Sequence, residues 1–112
     1  MQRIVAVIRP EKLDEVKSAL EKQGYPGMMT MMIEGHGRQK GLSQQFRGRE
    51  YMIEMIPKTK LEIIAKDEEV EGIVDTVLKT AKTGDIGDGK IFVSPVTQVY
   101  RIRTSEKGNE AL

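Results

Sequence analysis

A chain of 112 residues is the size of one domain, large enough to bury a core and small enough that assembly into an oligomer would add stability. Its 18 basic and 17 acidic residues leave a formal charge of +1, which argues against a general nucleic-acid or membrane binder, since both favour a strong basic excess. Without cysteine there is no disulfide framework, thiolate nucleophile or cysteine-based zinc site, and the N-terminal apolar run is too short for a signal peptide or a membrane span, so a soluble cytoplasmic protein is expected.

Residues 4–8 are a continuous run of mostly branched apolar side chains and predict a buried strand. Pro10 stands where a helix begins, Leu13, Val16 and Leu20 recur at spacings of three and four, and Gly24 supplies the C-terminal stop. Residues 28–33 predict a second strand, with Met28, Met29, Met31 and Met32 read as sheet core because methionine fills irregular apolar gaps. Residues 35–49 are polar and almost free of apolar side chains, so 37–54 is expected to be a long mobile effector loop, far longer than a hairpin connection. The strand pattern returns over 51–65, interrupted by Pro57. Asp67 is expected to N-cap a second helix whose one face carries Val70, Ile73, Val74, Val77, Leu78 and Ala81. A glycine-rich loop over 82–90 follows, then a strand over 91–96, then residues 97–103, with a C-terminal loop and tail over 102–112.

This β-α-β, long loop, β-α-β order predicts a single α+β domain over 1–112, a ferredoxin-like split-βαβ sandwich with both helices on one face of the sheet. Because residues 4–8 are apolar on both alternating faces, the face without helices is expected to be buried as well, in a homo-oligomer.

The chemistry concentrates in Thr83-Gly84-Asp85-Ile86-Gly87-Asp88-Gly89-Lys90, where three glycines and a lysine can bring bare N–H groups and an ammonium to a phosphate chain. Plain turn chemistry explains any one of these glycines; three beside Lys90 favour a ligand. Gly84 to Lys90 matches the first part of a Walker pattern, yet Ile91 stands where Ser or Thr would hold Mg²⁺. The helix also precedes the loop instead of following it, so an ordinary P-loop is excluded. Arg101 and Arg103, two apart on a strand pattern, share a face opposite Tyr100 and Ile102 and with Lys90 would suit a triphosphate. Lys58 and Lys60 alternate in the same way, and a lysine suits a small dicarboxylate. The lone His36 has no acid or second histidine at ligand spacing, and neither a Ser-His-Asp set nor an enclosed carboxylate pair can be assembled. No catalytic residue is predicted, and the long loop reads as a switch ordered at its base by ligand.

Taken together, these segments resemble the PII nitrogen-regulatory signal-transduction family across essentially the whole chain. The resemblance is carried by Arg9-Pro10 with Lys12-Leu13, Gly35 with Gly37-Arg38-Gln39-Lys40-Gly41, Arg47-Gly48 with Glu50-Tyr51, Pro57-Lys58, Thr83-Gly84 through Phe92, and Arg101-Ile102-Arg103-Thr104. It implies a homotrimer with nucleotide sites in the clefts between neighbours, where ATP and ADP compete and 2-oxoglutarate binds together with Mg-ATP. Carried over by position, Gly87, Asp88, Gly89 and Lys90 would cradle the phosphates, and Arg38, Arg101 and Arg103 would add charge. Gly37, Met29 and Ile64 would lie around the nucleotide, and Gln39 would help hold Mg²⁺. Lys58 would pair with 2-oxoglutarate, aided by Gln39, Lys40, Gly41 and Gly87. The loop would dock on an ammonium channel, recruiting the protein to the membrane without insertion, or on enzymes and regulators of nitrogen assimilation. Tyr51 is the position uridylylated in some relatives.

Three positions depart from the family pattern. His36 stands where many members have Phe, Met29 where a hydroxyl residue is common, and Arg49 where other relatives carry a phosphorylated serine. The alternative from another class is a ferredoxin-like RNA-binding module, which shares the order of elements but needs sheet aromatics for base stacking. Only Phe46, Phe92 and three tyrosines exist, none in the required motif.

Overall fold

The computed structural model describes residues 1–25, 27–36, 43–46, 49–52 and 55–112, and gives the backbone alone for 36, 43–46, 49–52 and 55. Its elements are β1 (Gln2–Ile8), α1 (Leu13–Lys22), β2 (Met29–His36), β3 (Ser43–Phe46), β4 (Arg49–Met52), β5 (Met55–Ala65), α2 (Val70–Ala81) and β6 (Gly89–Pro95). The main sheet runs β2-β5-β1-β6 with every neighbour antiparallel, the expected ferredoxin-like α+β arrangement.

Alternation along the strands decides what each face holds. Ile4, Ala6 and Ile8 of β1 and Leu61, Ile63 and Ala65 of β5 meet Val16 and Leu20 of α1 and Ile73, Val77 and Ala81 of α2 in one buried cluster. Arg9, forced into extended backbone by the following proline, ends β1, and a 3-10 turn over Pro10–Lys12 leads into α1. That helix stops as expected: the Gly24 N–H donates to Glu21 O and the Tyr25 N–H to Leu20 O, each at 3.0 Å, while Tyr25 packs on the core.

Several expectations need correction. The second strand reaches His36, because β5 begins at Met55 and pairs with it, and what read as one strand over 51–65 is β4 followed by β5. β3 and β4 form their own antiparallel ladder inside the span read as a loop. Pro57 does not interrupt β5: pairing with β1 ends at Ile8↔Thr59, so at Pro57 one edge of β5 is open and a missing N–H breaks no ladder on that side. Met29, Met31 and Met32 are exposed in the single chain rather than core, since β2 is an edge strand. Asp67 caps no helix end. It lies in a 3-10 turn, and its carboxylate takes the Met1 ammonium at 2.9 Å and Gln2 Nε2 at 3.3 Å, while Glu69 accepts the Lys66 N–H at 3.0 Å. Leu78 is 50% exposed, for the buried arc of α2 centres on Ile73, Val77 and Ala81, and 78 falls on its rim.

Candidate functional site

Opposite the helices, the sheet carries cations at one end. Val7 of β1 faces away from the core and sits between Lys60 of β5 and Lys90 of β6, so these two lysines share one cross-strand row. Lys58 lies on the same face, one row further toward the end of β1. It is only 8% exposed and donates from Nζ to Gly87 O. Burial, reinforced by the positive charge of Arg9 and opposed by Glu11 and Asp88, lowers the pKa of its ammonium. An anion placed here would recover charge stabilisation that Lys58 lacks.

The loop between α2 and β6 is tied by its own carboxylate. Asp88 Oδ2 accepts the Thr83 and Gly84 N–H groups at 2.9 Å each, while Oδ1 accepts the Thr83 hydroxyl at 2.5 Å and Arg9 Nε at 3.0 Å. Arg9 Nη2 also donates to Ile86 O at 2.9 Å. The Thr83 hydroxyl first, then the two main-chain N–H groups and Arg9, hold the Asp88 carboxyl far below the usual carboxylate range against desolvation. Gly84, Gly87 and Gly89 all have positive φ, at 94°, 105° and 102°, so the three glycines satisfy the backbone itself. Gly89 is the most demanding, because a Cβ there would lie 1.7 Å from Val7 O.

This arrangement is chemically one-sided. Its acid is turned inward, and among the described residues the N–H groups of Gly87 and Asp88 donate to no other group. Among the described residues Lys60 and Lys90 make no ion pair. Beside the exposed Asp85, the loop and its neighbouring sheet rows offer amide donors and the ammonium groups of Lys60 and Lys90, which suit a polyanion. A hollow of about 200 Å³ between α2 and the start of β6 is walled mainly by aliphatic residues such as Ile8, Val77, Ala81 and Ile91, with Lys82, Asp88 and Lys90 also lining it. It offers a polyphosphate little, so the cation-bearing face is the better candidate.

Of the residues singled out in the sequence, the fold brings Gly87, Asp88, Gly89, Lys90 and Lys58 together. Met29 and Ile64 lie on the same sheet face, on β2 and β5, further from the loop. Gly37, Arg38, Gln39, Lys40 and Gly41 lie outside the described residues, and Tyr51 pairs with Gln44 in β4 with its side chain outside them. Arg101 and Arg103 are not on a strand. They occupy a turn beyond Pro95, at the far end of β6 from Lys90, so strand alternation does not apply to them. Seven residues of β6 span about 20 Å, and every described polar partner of the Arg101 side chain lies within residues 106–112.

Arg9, Thr83 and Lys60 stood in the segments read from the sequence but were given no ligand contact. Arg9 was legible in part, because Pro10 holds it extended at the strand end. Thr83 and Asp88, five apart across glycines, are a self-closing loop that only the fold makes evident.

Residues 1–106 match the family described as Nitrogen regulatory protein P-II. The chain is 55% identical over 112 residues to Nitrogen regulatory protein P-II 2 of Methanothermobacter thermautotrophicus, covering 100% of this chain and 97% of that one. It is 52% identical to Nitrogen regulatory protein P-II of Microchaete diplosiphon and 53% identical to that of Pyropia yezoensis, over 112 residues and 100% of both chains in each case.

Proposed function

The chain belongs to the nitrogen regulatory P-II family, and from that premise we propose a non-enzymatic cytoplasmic signalling protein that binds ATP or ADP and, with Mg-ATP, 2-oxoglutarate. The observation that carries the nucleotide reading is the face where Lys58, Lys60 and Lys90 surround the amide-rich turn at Gly87 while Asp88 is consumed within the loop. Phosphates would rest on the amides of residues 87–90 and on Lys90, with Arg38, Arg101 and Arg103 adding charge and Met29, Ile64 and Gly37 flanking the nucleotide. Lys58 would take a carboxylate of 2-oxoglutarate beside Gly87, Gln39, Lys40 and Gly41.

Among the described residues no group of three or more His, Cys, Asp or Glu is placed to hold a metal. That fits Mg²⁺ arriving on ATP, with Gln39 assisting and the phosphates supplying the anionic oxygens. Bound there, the ion would offset phosphate charge. The homotrimer is supported by the uncovered sheet face, where Val5 is 9% exposed but Met31 and Phe92 are 61% and 56% exposed. In such a trimer Arg101 and Arg103 would reach phosphates through a neighbouring copy. Ligands that favour different conformations at residues 37–54 would then switch docking on an ammonium channel or on nitrogen-assimilation enzymes and regulators. Tyr51 would be the position open to modification. Among the described residues no helix is long and apolar enough to cross a membrane.

Calorimetry tests the proposal. ATP and ADP should bind with micromolar-class affinity, and 2-oxoglutarate only when Mg-ATP is present. Lys90→Ala should weaken both nucleotides, and Lys58→Ala should weaken 2-oxoglutarate while leaving ADP largely intact. Normal binding of every ligand by both variants would refute the site, and RNA binding without nucleotide binding would favour the alternative module.

A further inference from the structure

Arg101 and Arg103 look equivalent in sequence and differ in structure. Residues 99–108 double back on themselves. The Arg101 N–H donates to Glu106 O at 2.8 Å, the Ser105 N–H to Arg101 O at 2.8 Å, and the Gly108 N–H to Val99 O at 2.9 Å. Ser105 turns the corner at φ 60°, a left-handed conformation uncommon outside glycine. This folding sets the Glu106 carboxylate against Arg101, whose Nη1 donates to Oε1 at 3.1 Å. A 3-10 turn over Gly108–Ala111 brings the chain end round, and Nη2 donates to Glu110 O and Leu112 O, each at 3.3 Å. Of the guanidinium's five N–H donors, Nε and one on Nη1 have no partner among the described residues, and exposed Arg103 has no polar partner there at all.

We propose that Glu106, backed by the terminal turn, is a positioning residue for Arg101: it fixes the guanidinium in one rotamer, leaving the Nε–H and one Nη1–H as separate donors for a polyphosphate. The inference rests on the reading of Arg101 as a phosphate-binding group. A free arginine loses much rotamer freedom when an anion captures it, whereas one already gripped on three acceptors loses little. Glu106 also carries the wrong charge for an anion's neighbour. Both members of the pair are more than a third exposed, so water and salt screen that repulsion, and the ordering effect wins.

The test is a double-mutant cycle read by calorimetry with Mg-ATP and with ADP, on wild type, Glu106→Ala, Glu106→Gln, Arg101→Ala and the Arg101→Ala/Glu106→Ala pair. Glu106→Ala should weaken both nucleotides about three- to fivefold. Glu106→Gln keeps an acceptor at the same reach without charge and should stay within about twofold of wild type. In the Arg101→Ala background, Glu106→Ala should add nothing. Arg101→Lys, which leaves Glu106 intact but loses the fork, should weaken binding by a similar factor. A Glu106→Ala variant that binds as tightly as wild type or tighter, or whose loss persists without Arg101, overturns the inference. A wild type that binds no adenine nucleotide, or an Arg101→Ala variant that binds normally, overturns the phosphate reading beneath it.

Discussion

Replacing Gly89 by alanine puts the greatest strain on the site's scaffold. The residue opens β6 at φ +102°, directly across from Ile8, and the added methyl would meet Val7 O at 1.7 Å and Val7 C at 2.8 Å. The left-handed backbone alone costs an L-residue about 1–2 kcal/mol. The steric conflict cannot be relieved by a rotamer change, because Val7 O belongs to the main chain of a central strand. The end of β6 must therefore lift from β1, and each buried backbone group left unpaired costs about 1–3 kcal/mol. With one such group lost, these terms together give about 2–5 kcal/mol, a large fraction of the ~5–15 kcal/mol that a domain typically has. Thermal unfolding at fixed protomer concentration should show Tm falling by about 8–20 °C. Gly72→Ala is the matched control: it lies in α2, where an added methyl would meet nothing within 4 Å, and should stabilise the protein by about 0.5–1 kcal/mol. A Gly89→Ala protein melting within about 3 °C of wild type would refute the reasoning.

Two further outcomes concern the glycine loop and the face of α2. Asp88 has its pKa lowered in the folded chain, so its contribution is complete above the ordinary carboxylate pKa of about 3.9 and is lost as pH falls through the lower folded value. Amide protection at Thr83 and Gly84 should accordingly persist from neutral pH down to about 4, and Asp88→Asn should speed their exchange at neutral pH; unchanged protection in that variant would show that the carboxylate does not tie the loop. Val77→Ala should destabilise by about 1–3 kcal/mol as a core truncation, whereas Leu78→Ala, half-exposed on the rim, should cost less than about 1 kcal/mol. Urea unfolding that ranked them the other way would contradict the placement of the α2 face.

Periodicity in the sequence was enough to determine the nature of the main elements. The apolar run in β1, the spacing of Leu13, Val16 and Leu20, the Gly24 stop and the core stripe of α2 each express a rule acting within a few residues, where backbone hydrogen bonding and side-chain direction repeat regularly. The glycine loop with Lys90 was legible for the same reason. Tertiary structure decided everything that depends on a distant partner. It ended β1 short of Pro57, so that a proline stands inside β5. It delivered the chain's amino terminus to Asp67, 66 residues away, and Arg9 to Asp88, 79 residues away, turning an expected helix cap and the Asp88 carboxylate into internal ties. It also gave Arg101 three acceptors and Arg103 none among the described residues. A charged side chain reaches several angstroms and binds whichever opposite charge packing brings near, and neither local spacing nor composition specifies which one that will be.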